Sequence, residues 1–174
     1  IPSHIEYNDD IYIVTSIGLS AFRNCSSLNS VRIPETVTTI EWFAFSCCSA
    51  ISSIIIPSSV KCIGDNAFAN CTALSNLIIS SGVLVIGDYA FSGCESLCNV
   101  KIPDSIISIG DGAFKGGTIM ESIEVDINNK VYDSRNNCNA IIETATNSLI
   151  AGCESTIIPN GIKYIGREAF SDYT

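Results

Sequence analysis

The chain has 174 residues, a formal net charge of −9 and 47% hydrophobic residues, with an isoelectric point near 4.4. There is no basic stripe to replace counterions on phosphates, which excludes nucleic acid as a partner, and no apolar run approaches the ~20 residues of a membrane helix, so no membrane insertion is expected. The single histidine, His4, falls on an expected loop near the start, which leaves no Ser-His or Cys-His arrangement inside the chain and predicts a protein that is not an enzyme.

In chain order, Ile1-Pro2 and Ile5 line up with the later Ile33-Pro34 and Val37. The turn residues Tyr7-Asn8-Asp9-Asp10, followed by Ile11 to Val14, predict a hairpin that partly caps the start. From Ile17 a 23-residue period governs the chain. Phenylalanine recurs as Phe22, Phe45, Phe68, Phe91 and Phe114, each preceded by alanine, with isoleucine five residues before it (Ile17, Ile40, Ile63, Ile86, Ile109). A fixed period of this length marks a solenoid, whose units bury their apolar faces only against one another.

Each unit opens with L-x-x-V-x-I-P, as in Leu28, Val31, Ile33, Pro34 and in Leu97, Val100, Ile102, Pro103. Its V-x-I alternation predicts a strand, stopped on the same step each time by proline. A V-x-x-I block comes next (Val37 and Ile40; Val60 and Ile63; Val83 and Ile86; Ile106 and Ile109) and predicts a short extended segment on the opposite wall. Glycine after the isoleucine (Gly18, Gly64, Gly87, Gly110, Gly166) suggests a turn geometry that other residues strain to reach. Glu41 stands there in the second unit, which predicts a different turn in that rung. Ala-Phe then sends a ring between layers from a turn too short for an α-helix.

Cys25, Cys48, Cys71 and Cys94 share one slot on successive units. They predict an interior ladder of small apolar side chains with a weak donor, although rungs ~4.8 Å apart would also be within reach of disulfides. Of the adjacent Cys47 and Cys48, only Cys48 should point inward. No C-x-x-C is present and histidine occurs once, so neither zinc nor another metal or cofactor is expected.

Phe114 and Phe170 are 56 residues apart, ten more than two periods, so one unit carries an insertion, placed at 126–153. Asp126-x-Asn128 with Lys130 faintly matches a calcium loop, but the sixth position is not glycine and Asn137 stands where the bidentate Glu belongs. A polar turn opening the insertion is the better account. A hairpin turning between Ala145 and Thr146 would pair Ile142 with Leu149, Ala140 with Ala151, and Cys138 with Cys153. That last pair is either a disulfide or two packed thiols. The period resumes with Ile158-Pro159, Ile165-Gly166 and Ala169-Phe170. Both ends cut through a unit, so residues 1–174 read as one array excerpted from a longer chain.

The I-P…V-x-x-I-G-x-x-A-F-x-x-C pattern resembles the BspA-like, treponemal-type leucine-rich repeat family, over nearly the whole chain. The resemblance implies a leucine-rich-repeat solenoid, mainly β. It has one parallel strand per 23-residue repeat, short extended segments and helical turns opposite, and a hairpin-bearing longer repeat at 137–147. It also implies a secreted or lipid-anchored cell-surface protein of the kind that adheres to host extracellular matrix or to other cells.

Strand alternation turns the residues flanking the inward V outward. The position before it is small and polar (Ser30, Ser53, Asn76, Asn99, Ser122, Ser155), as a ladder between parallel strands requires. The position after it varies: Arg32, Ile55, Ile78, Lys101, Glu124 and, after the insertion, Ile157. Variation on a fixed scaffold is where a repeat protein holds specificity. Two isoleucines between Arg32 and Lys101 have the composition of a protein-binding patch, an apolar centre with a charged rim, though isolated surface isoleucines are also ordinary in strands. Three functions remain open: a non-enzymatic recognition module for a protein ligand, a passive stalk presenting another domain, and a carbohydrate-binding surface. Trp42 and Phe43 would serve the last, but local packing is the expectation for both.

Overall fold

The computed structural model describes residues 1–171. The elements in chain order are β1 (His4–Tyr7), β2 (Asp10–Ile13), β3 (Ser16–Ile17), β4 (Thr39–Ile40), β5 (Ser53–Ile56), β6 (Cys62–Ile63), β7 (Asn76–Ile79) and β8 (Val85–Ile86). They continue with β9 (Asn99–Ile102), β10 (Ser108–Ile109), β11 (Ser122–Val125), β12 (Tyr132–Asp133), β13 (Ala140–Glu143), β14 (Ser148–Gly152) and β15 (Tyr164–Ile165). A single 3-10 turn, Arg135–Asn137, is the only helical element among the described residues. The chain is therefore a β solenoid, its rungs offset by 23 residues in the paired strands.

Both walls of the solenoid are parallel, but they are held differently. On the I-P wall β5 pairs with β7 and β9 with β11, each in a register shifted by one repeat. The buried partners Ile54, Ile56, Val100, Ile102, Ile123 and Val125 alternate with exposed residues, as the sequence requires. The opposite wall carries the longer ladder, five two-residue strands in the order β10-β8-β6-β4-β3. The first predicted strand, around Val31 and Ile33, does not form: Ile33 is buried at 6% exposure, but no backbone bond joins this segment to β5. Side-chain packing places it, together with the bond from the Ile1 amine to the Arg32 carbonyl.

A third ladder runs through the turns. The amides of Phe22, Phe45, Phe68 and Phe91 donate to the carbonyls of Ala44, Ala67, Ala90 and Ala113, one rung on, at 2.7–2.8 Å. The rings keep step with the backbone. Phe22, Phe45, Phe68, Phe91 and Phe114 stack with centroids 5.1, 5.1, 5.3 and 5.6 Å apart and planes within 10°. Offset stacking of this kind adds to the area each ring buries.

At Gly64, Gly87 and Gly110 the glycine after the isoleucine has a different purpose from the one expected. Its φ is not positive; the left-handed slot lies two residues later, at Ser20, Phe43, Asn66, Tyr89 and Gly112, with φ of +55° to +60°. Glycine is required by close approach. A Cβ at Gly64, Gly87 or Gly110 would come within 2.8 Å of the backbone amide of the preceding rung. The second rung does not turn differently despite Glu41, since Ala44 donates to the Glu41 carbonyl at 3.2 Å just as Ala67 does to Gly64.

The first hairpin forms as predicted, with Tyr7 opposite Asp10 across the left-handed Asn8 and Asp9. It does not cap the array. Pairs Ile5–Tyr12 and Glu6–Ile11 put apolar groups on both faces, so neither face is a core face and all eight strand residues are exposed.

Three side chains help attach the insertion, beside the backbone bond from the Asp126 amide to the Ile102 carbonyl. Asn129, 9% exposed, donates to the carbonyls of Pro103 and Ile106 at 2.8 and 3.0 Å and accepts from the amides of Val131 and Tyr132. The Tyr132 hydroxyl accepts from the Ile109 amide at 3.0 Å, where the next strand of the long ladder would otherwise lie. The Ser134 hydroxyl accepts from Val125 and donates to Ala140, bridging β11 to β13. Beyond it β13 and β14 form the predicted hairpin, with Ile142 opposite Leu149. A register shift between Ile141 and Ile142 then puts Ala140 opposite Gly152 rather than Ala151. Phe170 resumes the motif but lies against Gly152, where a Cβ would meet its ring.

Phe68→Ala, which removes a ring from the middle of the stack, is expected to cost about 3–5 kcal/mol in denaturant unfolding, and Phe22→Ala, half-buried at the first rung, clearly less. Tyr132→Phe should raise hydrogen exchange at the Ile109 amide, and Ser134→Ala at that of Val125, with the Phe stack still protected.

Candidate ligand-binding face

Of the exposed row, Ile55 and Ile78 are brought together. They are register partners in the β5–β7 pair and 56% and 45% exposed. Arg32 is exposed one unit before them, its carbonyl bonded to the N-terminal amine of Ile1 at 3.1 Å. Lys101 and Glu124 are partners in β9–β11 and form an ion pair at 3.4 Å, each side chain 66% exposed. So exposed a pair contributes little to stability, about 0–1 kcal/mol, and opens easily to a ligand. The small polar row beside them bonds across rungs, Asn76 to Ser53 at 3.1 Å and Ser122 to Asn99 at 2.6 Å.

Ile157 does not continue the row. Strand β13 packs next to β11 and occupies the place after Glu124, with Ala140, Ile141 and Ile142 all buried. Ile157 lies past it, bonded through its amide to the Cys138 carbonyl, and is 75% exposed. The row ends instead at a wall built by the insertion. Lys101, Glu124, Asp126, Ile127, Asp133 and Arg135 line a groove of about 700 Å³, where Arg135 holds Asp133 through two nitrogens and Ile127 is 95% exposed. Nothing periodic marks Asp126, Ile127, Asp133 and Arg135, so the repeat pattern could not have found these four. Asp126 caps its own turn by accepting from the Asn128 amide at 2.9 Å.

The opposite wall carries a second exposed apolar pair, also one rung apart: Leu19 at 62% and Trp42 at 58%. Trp42 packs only its edge locally, against Gly64, and otherwise faces solvent. With Thr39, Ile40, Glu41, Cys62 and Gly64 these two line a cleft of about 270 Å³. The neighbouring Phe43 is partly buried, with the Arg23 guanidinium 5.0 Å from its ring centroid.

The cysteine slot is buried at Cys48, Cys71 and Cys94, whose thiols donate to the carbonyls of Phe22, Phe45 and Phe68 at 3.0, 3.3 and 3.4 Å. Cys25, expected in the same ladder, is exposed because it belongs to the first rung. Cys47 is only partly buried. Burial pushes the Cys48 thiol up to about 11 and Cys71 to about 12, and raises Cys94 further. Cys138 and Cys153 are free thiols rather than a disulfide; the hairpin's register shift separates them, and they pack into different apolar clusters. Among the described residues no cluster of three His, Cys, Asp or Glu side chains is placed to hold a metal. No helix among them is long and apolar enough to cross a membrane.

Residues 5–121 match the model of the BspA type leucine-rich repeat region, in six copies. Among curated proteins none matches the sequence. The fold superposes on the pneumococcal vaccine antigen PcpA with a TM-score of 0.76 at 20% identity, over 99% of this chain and 52% of that one. It is also similar to a leucine-rich repeat protein of T. pallidum (TM-score 0.67, 32% identity, 71% of this chain and 56% of that one). A leucine-rich cell surface protein of Faecalibacterium prausnitzii gives 0.50 at 26% identity, over 87% of this chain and 53% of that one. The chain thus spans little more than half the length of each.

Thiols held neutral by burial stabilise the fold fully below their ordinary value of 9.0, and the contribution is lost progressively as pH rises from 9.0 to about 11 for Cys48 and about 12 for Cys71. The melting temperature should fall across that window, and less steeply for Cys71→Ala than for the unaltered chain. Native alkylation at pH 8, read by mass spectrometry, should label Cys25 and spare Cys71 and Cys94.

Proposed function

The chain belongs to the BspA type leucine-rich repeat family, and on that premise we propose that it is a non-enzymatic recognition module at a bacterial cell surface, binding a protein ligand through the I-P wall. The observation that carries this reading is the in-register pair Ile55–Ile78, exposed on a hydrogen-bonded parallel sheet between Arg32 and the Lys101–Glu124 pair. An apolar anchor with a charged rim is the composition of a binding hot spot. Strands already ordered by backbone bonds lose little entropy on binding, so a few contacts suffice. Family membership supports the surface location and the role in protein interaction. The named neighbours, a pneumococcal antigen and a cell surface protein, point the same way. Adhesion to host matrix or to another cell is the finer form of the proposal.

The test is a binding screen of the chain against extracellular-matrix proteins, run beside the Ile55→Asp/Ile78→Asp double variant. The double variant is expected to lose binding by at least about tenfold while its far-UV spectrum and melting stay unchanged. Equal binding by both proteins would move the site off this wall, and no binding by either would favour a passive stalk.

A further inference from the structure

We infer that the cleft between Leu19 and Trp42 is a saccharide-binding site, built where the second rung departs from the repeat. In the next three rungs the pair after isoleucine is Gly-Asp, and the two residues depend on each other. Asp65 accepts from the Asp88 amide at 3.0 Å and Asp88 from the Asp111 amide at 2.9 Å. The glycine above leaves room for that carboxylate, since a Cβ at Gly87 or Gly110 would fall within 2.4 Å of it. The second rung has Glu41-Trp42 instead. Glu41 reaches back to accept from the Leu19 amide at 2.9 Å, so the carboxylate comes from the opposite side of the step and position 42 is released from the ladder.

Indole fills the released position. Its edge lies on Gly64, where a Cβ would come within 2.8 Å of the ring, and the remainder of Trp42 faces solvent. Leu19 stands one rung below, 62% exposed. Ile40 and Gly64 also border the cleft, but Ile40 is fully buried, so the apolar side chains a ligand meets are Leu19 and Trp42; the polar groups there are Thr39, Glu41 and Cys62. At about 270 Å³ the cleft is just below the ~300 Å³ where small-molecule sites begin, room for one ring-sized group. The exposed indole of Trp42 with the Leu19 side chain one rung below suits the C–H face of a pyranose. The Glu41 oxygen that Leu19 leaves unused and the Thr39 hydroxyl are suited to its hydroxyls. The same carboxylate, in a chain of net charge −9, repels acidic sugars, so the ligand class is a neutral or amino sugar. This site lies on the wall opposite Ile55 and Ile78 and stands or falls separately from them.

Trp42 is the only tryptophan of the chain, so its emission reports on this cleft alone. Titration with chitotriose, cellotriose, lactose and glucosamine should produce a saturable change with at least one, and sialyllactose should produce none. By calorimetry, Trp42→Ala and Leu19→Ser should each weaken that probe by about tenfold at unchanged far-UV spectrum. Ile55→Asp/Ile78→Asp should leave it untouched. Glu41→Gln should admit sialyllactose. No saturable response to the neutral and amino probes would overturn the assignment, as would unaltered affinity in folded Trp42→Ala. A response only to N-acetylleucinamide would overturn it too, by making the cleft a seat for a protein side chain.

Discussion

Every rung has to lie on a copy of itself one strand spacing away, and that self-complementarity governs the rest of the molecule. Phenylalanine rings 5.1–5.6 Å apart can stack only if their backbones keep the same spacing, and the amide-to-carbonyl bonds between successive Ala-Phe turns enforce it. The constraint explains why single slots are uniform. Glycine stands after isoleucine at Gly64, Gly87 and Gly110 because the rung below passes too close for a Cβ, and cysteine recurs because a small thiol can bond the phenylalanine carbonyl of the neighbouring rung.

Slots that face solvent escape this constraint, and it is there that the rungs differ. On the I-P wall the row runs from Arg32 through two isoleucines to an exposed ion pair. On the opposite wall the second rung exchanges Gly-Asp for Glu-Trp without altering its turn. Both changes sit on backbone that is already ordered, so a ligand meets side chains whose positions are largely fixed beforehand.

The insertion shows what replaces the constraint when the period fails. Extra chain cannot be paired rung on rung, and three polar side chains take over the missing backbone bonds: Asn129 at its opening, Tyr132 on one wall and Ser134 on the other. Each leaves a buried amide or carbonyl satisfied that would otherwise cost about 1–3 kcal/mol. The hairpin then divides its sides between two cores, Ile141 in the main one and Ile142, with Phe170, in a smaller one. The same segment closes off the exposed row after Glu124 and makes the groove beside it.

The sequence alone determined the period, the solenoid, the parallel strands, the inward phenylalanines, the position of the hairpin and the exposed row as far as Glu124. All of these repeat or alternate, and a feature that must fit its own copy is written once per rung. Tertiary structure decided what happens where copies stop matching. It set the close approach that demands glycine, the register shift that separates Cys138 from Cys153, and the burial of β13 that displaces Ile157. It also decided the exposure of Trp42. These depend on contacts between unlike segments, whose geometry is fixed only when the rungs are packed together, and no periodicity in one chain encodes it.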